Sequence, residues 1–247
     1  MSRQQPEQQA PPVQRLRLRY AKRGRLRFTS HRDFSRAFER ALVRARVPMA
    51  YSSGFHPHPR ISYANAAPTG AASEAEYVEI GLAEQLDPEA VRALLDESLP
   101  PGLDVLTVVD AAQVPGGLSD RLEASHWRVV LPADAAAALP AAVAAFLAAP
   151  EVTVQRMTKK GLREFDCRSA VVRLAVVPDG PQGPGGLDLV VRHAEPAVRP
   201  DDVLTGLAAV GDLALGTPGA LLTRLAQGPL DEASGEVGDP LAPAPTA

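Results

Sequence analysis

Three histidines, His31, His56 and His58, fall in one short stretch that is otherwise rich in arginine. Histidine is the side chain whose charge changes nearest neutral pH, which suits it to acid–base work and to metal ligation. A zinc site would need further ligands at a recognisable spacing, and Glu74 or Glu76 are the nearest acids downstream. The spacing matches no zinc pattern, and Arg32, Arg36 and Arg60 would oppose a dication, so neither a metal nor a cofactor is expected. His31 and His58 are the candidate catalytic residues. The other reading gives the histidines hydrogen bonds to loop backbone or contact with a bound anion, and His56 is placed with the anion set. Ser73, Glu74 and Glu76 are expected to form structural ion pairs with Arg60 or with the helix arginines, or else to contribute to the site.

The arginines carry the stronger signal. Net charge is −3, yet residues 13–60 hold 13 basic side chains against two acids, Asp33 and Glu39. Residues 61–247 hold 12 basic side chains against 26 acids. Such asymmetry implies one basic surface on an acidic protein, or a basic segment that packs on its own acidic neighbours. Arg15, Arg17, Arg25, Arg27, Arg36, Arg40 and Arg60, with His56, form the expected binding set for RNA or another polyanion.

The elements that must position these residues follow from periodicity. Arg15, Arg17 and Arg19 alternate with Leu16, Leu18 and Tyr20, which predicts a strand with one buried face. After Lys22-Arg23-Gly24 a second alternation, Arg25 to Phe28, predicts a hairpin or one long bent strand. Ser30 is in N-cap position with Asp33 three residues on, opening a helix from about His31 to Arg46. Phe34, Phe38, Ala41 and Leu42 make its apolar face, and Arg32, Arg36, Arg40 and Arg44 recur every four residues on another. Val47-Pro48 stops it. A short strand, Met49 to Tyr51, leads into His56-Pro57-His58-Pro59, where two prolines forbid helix and stiffen the chain.

Further strands are expected at Glu76–Ala83 and Leu103–Asp110, around a helix opened by Asp87-Pro88. Strand, helix, strand, strand, helix, strand is the ferredoxin-like order. Residues 111–119 form a linker, and a second pass of the pattern follows. Strands are expected at 126–131, 152–157, 163–177, 187–193 and 221–225, and helices at 133–148 and 199–209. The fold class is therefore α+β, with two ferredoxin-like (split βαβ) domains and antiparallel sheets. The boundaries are a disordered tail over 1–12, a first domain over 13–112, a second over 120–229 and a disordered tail over 230–247, Pro/Gly/acid-rich. Lys159, Lys160 and Arg163 around Gly161 predict a basic hairpin turn that extends the anion surface or blunts a sheet edge. His126 and His193 bound expected strands and carry no further signal.

Composition excludes several classes. No apolar run is long enough to span a membrane, and the polar Gln/Pro-rich start is unlike a signal peptide. Cys167, the single cysteine, excludes a disulfide framework and a cysteine-held iron–sulfur cluster within this chain, and is expected to be a buried small hydrophobe. A cytoplasmic home with no membrane partner is expected.

Residues 15–80 resemble the radical SAM-linked protein family, a bacterial domain of unknown function that occurs alone or fused after a radical SAM enzyme. The matched features include Arg25-Leu26-Arg27-Phe28, Ser30-His31, Asp33, Arg36, Phe38-Glu39-Arg40-Ala41, Pro48, Tyr51-Ser52, Gly54-Phe55, Pro57-His58-Pro59, Gly70, Ser73 and Glu76. Lys159-Lys160-Gly161 through Asp166 and Arg168 resembles a later family motif. The chain departs from the family at Arg32, where leucine is usual. The resemblance implies association with radical SAM chemistry, with a separate enzyme as partner, and supplies no reaction. The expected fold also invites comparison with ferredoxin-like endoribonucleases that process CRISPR RNA, an analogy of fold only. Three readings of function stand at this point: an RNA-binding or RNA-processing accessory protein, an interaction subunit that delivers substrate to a radical SAM partner, and a histidine- or metal-dependent enzyme.

Overall fold

The computed structural model describes residues 8–114, 116–132, 135, 137–158, 161–180, 184–211, 213 and 219–243. It divides into two compact units. The first runs to Arg121 and takes in the chain again from Leu241, and the second is Leu122–Pro240.

In the first unit β1 (Gln14–Lys22), β2 (Ile61–Ala64), β3 (Ala72–Leu82) and β4 (Val105–Asp110) are joined through α1 (His31–Arg44) and α2 (Pro88–Ser98). The ladders are antiparallel, in the order β4-β1-β3-β2. Alternation in β1 puts Leu16 and Leu18 opposite Ile80 and Val78. These side chains pack with Phe34, Phe38 and Leu42 of α1 and Val91 and Leu95 of α2 into a closed core. Each such buried side chain contributes about 1.5–3 kcal/mol. Period-two geometry then sends Arg15, Arg17 and Arg19 to the opposite face of the sheet.

α1 is capped as its sequence implies. The backbone N–H of Asp33 donates to Ser30 Oγ at 3.2 Å, and the Ser30 hydroxyl donates to the Asp33 carboxylate at 2.7 Å. Tyr20 stacks on Phe34 with ring centroids 4.3 Å apart, which fastens the first turn of α1 to β1.

The second unit holds β5 (Ala124–Val130), α3 (Leu139–Ala148), a hairpin of β6 (Thr153–Thr158) and β7 (Gly161–Asp166), then β8 (Val171–Val177), β9 (Gly186–Arg192), α4 (Pro200–Gly211) and β10 (Leu221–Gly228). Its sheet order is β10-β5-β9-β8, again antiparallel, and the β6–β7 hairpin stands apart from it. α3 and α4 cross closely: a Cβ on Gly211 would come within 2.3 Å of Ala142 Cβ. Cys167 is fully buried, as expected, and burial, reinforced by the carboxylates of Asp166 and Asp202, pushes its thiol up to about 12.

Several expectations need correction. Arg25–Phe28 is no strand: Gly24–Phe28 is a 3-10 turn, entered through Gly24 at φ +55°. Four alternating residues are too few to separate a strand from a tight turn whose Leu26 packs on the core. Met49 and Tyr51 make only isolated bridges, to Leu82 and Pro59, and the edge strand is Ile61–Ala64 instead. The expected strand over 163–177 is broken between β7 and β8. Asp166 accepts from the N–H groups of Val152, Arg168 and Ser169 and so builds a turn at Cys167–Ala170. Burial works against the charge of Asp166, yet those donors and the Ser169 hydroxyl hold its carboxyl below the usual range.

The described parts of both expected tails make contacts. Gln9 N–H already donates to Ser53 Oγ, and at the other end β11 (Leu230–Asp231) pairs with β12 (Glu236–Val237). Leu241 is buried. Polar composition hid these contacts, which are made mainly by backbone. Residues 1–7 and 244–247, residues 133, 134 and 136 at the expected start of the third helix, and Lys159 and Lys160 lie outside the described residues.

Candidate functional site

The basic stretch divides by the face on which each arginine emerges. On the sheet face away from the helices, Arg17 is buried. Its Nε donates to Glu79 Oε2 at 2.9 Å, Nη1 to the carbonyl of Val114 at 2.9 Å, and Nη2 to the carbonyl of Gly116. Arg15 pairs with the same carboxylate at 3.2 Å, and Arg19 Nε donates to the carbonyl of Glu74 at 2.7 Å. A cleft of about 800 Å³ opens beside them, lined by Arg15, Arg17, Ser62, Glu79, Asp110 and Ser119 among others. Each nitrogen of the Arg17 guanidinium bonds a protein acceptor, so this arginine, which the charge asymmetry had placed in the anion-binding set, is engaged within the fold.

Arg23, which the expected set omitted, binds both Glu74 oxygens and donates to Asp104 Oδ2 at 2.7 Å. Glu74 is thus a structural ion, but its partner is Arg23 rather than Arg60 or the helix stripe. Glu76 is buried and accepts from Ala67 N–H at 3.1 Å, and Ser73 Oγ accepts from Ala75 N–H at 3.1 Å. Glu76 therefore ties the loop before β3 to the strand, while the Ser73 bond lies within β3 itself. Arg27 Nε donates to the Gly70 carbonyl at 2.6 Å with its guanidinium 5.2 Å from the centroid of the Phe28 ring.

The helix arginines differ. Arg25, Arg32, Arg36 and Arg40 are exposed, and among the described residues they make no hydrogen bond or ion pair. At 100° per residue Arg32, Arg36, Arg40 and Val43 share about a quarter of the circumference of α1, on the side away from Phe34 and Phe38. Arg36, Glu39, Arg40 and Val43 border a shallow concavity there. Arg44, next in the stripe, is instead drawn to the Ser98 carbonyl at 3.0 Å. From Arg40 to Ser73 the chain has no carboxylate side chain.

His31 is the first residue of α1, exposed, with its ring edge-on to Tyr63 at 4.9 Å. The Tyr63 hydroxyl is buried without a well-formed hydrogen bond. Burial raises its pKa, with the Ser35 hydroxyl opposing and Glu39 reinforcing that shift. His56 and His58 are exposed on a hairpin. Ser52 N–H donates to the His58 carbonyl at 2.8 Å, His58 N–H to Ser52 Oγ at 3.0 Å, and Arg60 N–H to the Ala50 carbonyl at 2.8 Å. The base of this hairpin bonds Gly81 in both directions, while Arg60 Nε donates to the Tyr51 carbonyl. Tyr63 opposes Val78, so the anchors of His31 and His58 lie about 10 Å apart along β3, and no contact joins the two histidines. Among the described residues no three His, Cys, Asp or Glu side chains converge as a metal site would require.

Two polar clusters of the second unit had no sequence signal, because their members lie some 60 residues apart. His126 Nε2 meets Asp188 at 2.6 Å, and Arg173 Nε donates to the same carboxylate at 2.9 Å. Burial opposes the charge of Asp188, and these partners hold its carboxyl below the usual range. His193 Nδ1 donates to the Leu122 carbonyl at 2.6 Å, and Nε2 accepts from the Ser125 hydroxyl. Burial lowers the pKa of His193, Arg224 adds to the effect, and the Leu122 carbonyl opposes it.

Residues 15–200 match the family described as an uncharacterized protein conserved in bacteria (DUF2344). The chain belongs to that family. The family match takes in both the arginine face of α1 and the polar clusters of the second unit. No curated protein matches the chain. Among the described residues no helix is long and apolar enough to cross a membrane.

Proposed function

We propose that this protein binds RNA through the outer face of α1 and acts as an accessory factor in the cytoplasm. The observation that carries the proposal is the set Arg25, Arg32, Arg36 and Arg40, exposed and without partners among the described residues, beside a stretch of sequence free of carboxylates. Like charges on one helix repel, and a phosphate chain relieves that repulsion while releasing its own counterions. Both units are proposed to be ferredoxin-like. The orders β4-β1-β3-β2 and β10-β5-β9-β8, each with two helices, support this, and the β6–β7 hairpin is an insertion before the second strand of the second unit. The association with a separate radical SAM enzyme enters only through the resemblance of residues 15–80. His31 and the His56–Pro59 hairpin are proposed to contact the ligand from two positions instead of forming one catalytic pair.

The test is binding of a fluorescent single-stranded RNA at increasing salt. Four phosphate contacts predict a slope of log affinity against log salt of about −3. Absence of binding at about 50 mM salt, or affinity that is flat up to about 200 mM, overturns the reading.

A further inference from the structure

We propose that the hairpin Ala50–Arg60 is a nucleobase-stacking finger with Phe55 as its platform, which makes the ligand single-stranded RNA. This rests on the RNA-binding reading and assigns a task the arginines cannot perform, contact with the base.

Phe55 stands at the tip of the hairpin with 66% of its surface exposed, and Tyr51 on the flank is 43% exposed. A lone exposed ring is ordinary on a protein surface. What distinguishes this one is its mounting. Cross-hairpin bonds tie Ser52 to His58 and Ala50 to Arg60. Pro57 and Pro59 fix one arm. Gly54 turns the tip at φ +130°, a conformation that glycine alone adopts at ease. A ring held on so stiff a frame loses little entropy when a ligand covers it.

The surroundings select the ligand. The finger lies within the carboxylate-free stretch, with His56 next to Phe55 in the chain, His58 three residues on and Arg60 at the base of the hairpin. A basic peptide finds no carboxylate on the hairpin itself, and Glu79, which shares a pocket with Arg60, is already paired with Arg15 and Arg17. A membrane surface calls for a continuous apolar face, whereas here one ring stands among histidines and prolines. A single-stranded polyanion with flat bases satisfies both the ring and the cations, since every base offers a π face to an aromatic side chain. A duplex is unsuited, because its bases already stack on one another.

The experiment compares oligouridine with an abasic oligonucleotide of equal length, which keeps the phosphates and lacks the bases. Phe55→Ala is expected to lower affinity for oligouridine about tenfold. It should leave abasic binding and the melting temperature unchanged. Phe55→Trp should restore affinity, and its added fluorescence should be quenched by oligouridine but not by the abasic strand. Arg36→Glu/Arg40→Glu should weaken both ligands. If Phe55→Ala binds oligouridine like wild type while the arginine double variant fails, the stacking finger is wrong and the basic face stands. Equal losses on both ligands overturn the finger as well, because the ring would then act through the hairpin fold. Wild-type protein that binds neither strand overturns both proposals, and capture by phosphatidylserine vesicles that is lost in Phe55→Ala would in that case make the ring a membrane contact.

Discussion

Arg17 and Arg36 belong to the same basic stretch, yet the fold employs them in opposite ways. Arg17 faces the underside of the sheet, where Glu79 on the neighbouring strand and two carbonyls of the chain after β4 engage each of its three side-chain nitrogens. Arg36 faces outward from α1 and meets no acceptor among the described residues. An excess of charge in a sequence window therefore does not measure available charge. The sheet arginines are internal wiring, and the arginines of this stretch without partners among the described residues lie on the helix or beside it.

Breaking the wiring has the largest expected effect. Arg17→Met leaves two carbonyls without donors and removes one of the two cations at Glu79. The expected cost is about 3 kcal/mol, the range for removing one partner of a buried ion pair. Melting should fall by roughly 10 °C. A melt unchanged from wild type would dissolve the distinction between the two sets.

The helix set should show the reverse pattern. Arg36→Glu/Arg40→Glu is expected to leave the melting temperature within the range of neutral surface changes, about 0.5 kcal/mol. Its effect belongs to RNA affinity, where the salt slope should flatten by at least about 1.4 for two lost phosphate contacts. Titration at several salt concentrations reads this directly.

Histidines sharpen the same contrast between buried and free. His193, half-buried, is paired with the buried Ser125, and its pKa is lowered from the ordinary value of 6.5. The unfolded chain takes up the proton first, so the contribution of His193 is complete above 6.5 and declines as pH falls toward its lowered folded value. Thermal melts between about pH 7 and 5 should show this loss, and His193→Gln should blunt it. At the small end, His31→Ala and His58→Ala should each cost about 1 kcal/mol or less, a shift of a few degrees. Both are exposed, although His31 also gives up its edge contact with Tyr63. A large drop for His58→Ala would show that the hairpin, and not its ligand, requires that ring.

Much of the first unit was legible because its signals are local. Ser30 with Asp33 announces the start of α1, Leu16 and Leu18 announce the buried side of β1, and Asp87-Pro88 opens α2. What escaped was set by partners distant along the chain. Nothing near Arg17 reveals Glu79, and nothing near Arg23 reveals Asp104. The break between β7 and β8 escaped for a related reason: one carboxylate, Asp166, collects three backbone donors, which periodicity cannot register. The arginines of the site were half legible, since their helical spacing identified a face but not which faces were already satisfied. Phe55 was legible as an aromatic residue in a stiff loop, while its exposure required the hairpin bonds.

Cys167 has a practical use. As the only thiol in the chain, fully covered and pushed up to about 12, it should be inert to alkylating reagents while the second unit stays closed. Its rate of labelling then becomes a clock for the opening of that unit alone. The same clock would read whether an added oligonucleotide changes the opening of that unit, with no probe added to the protein.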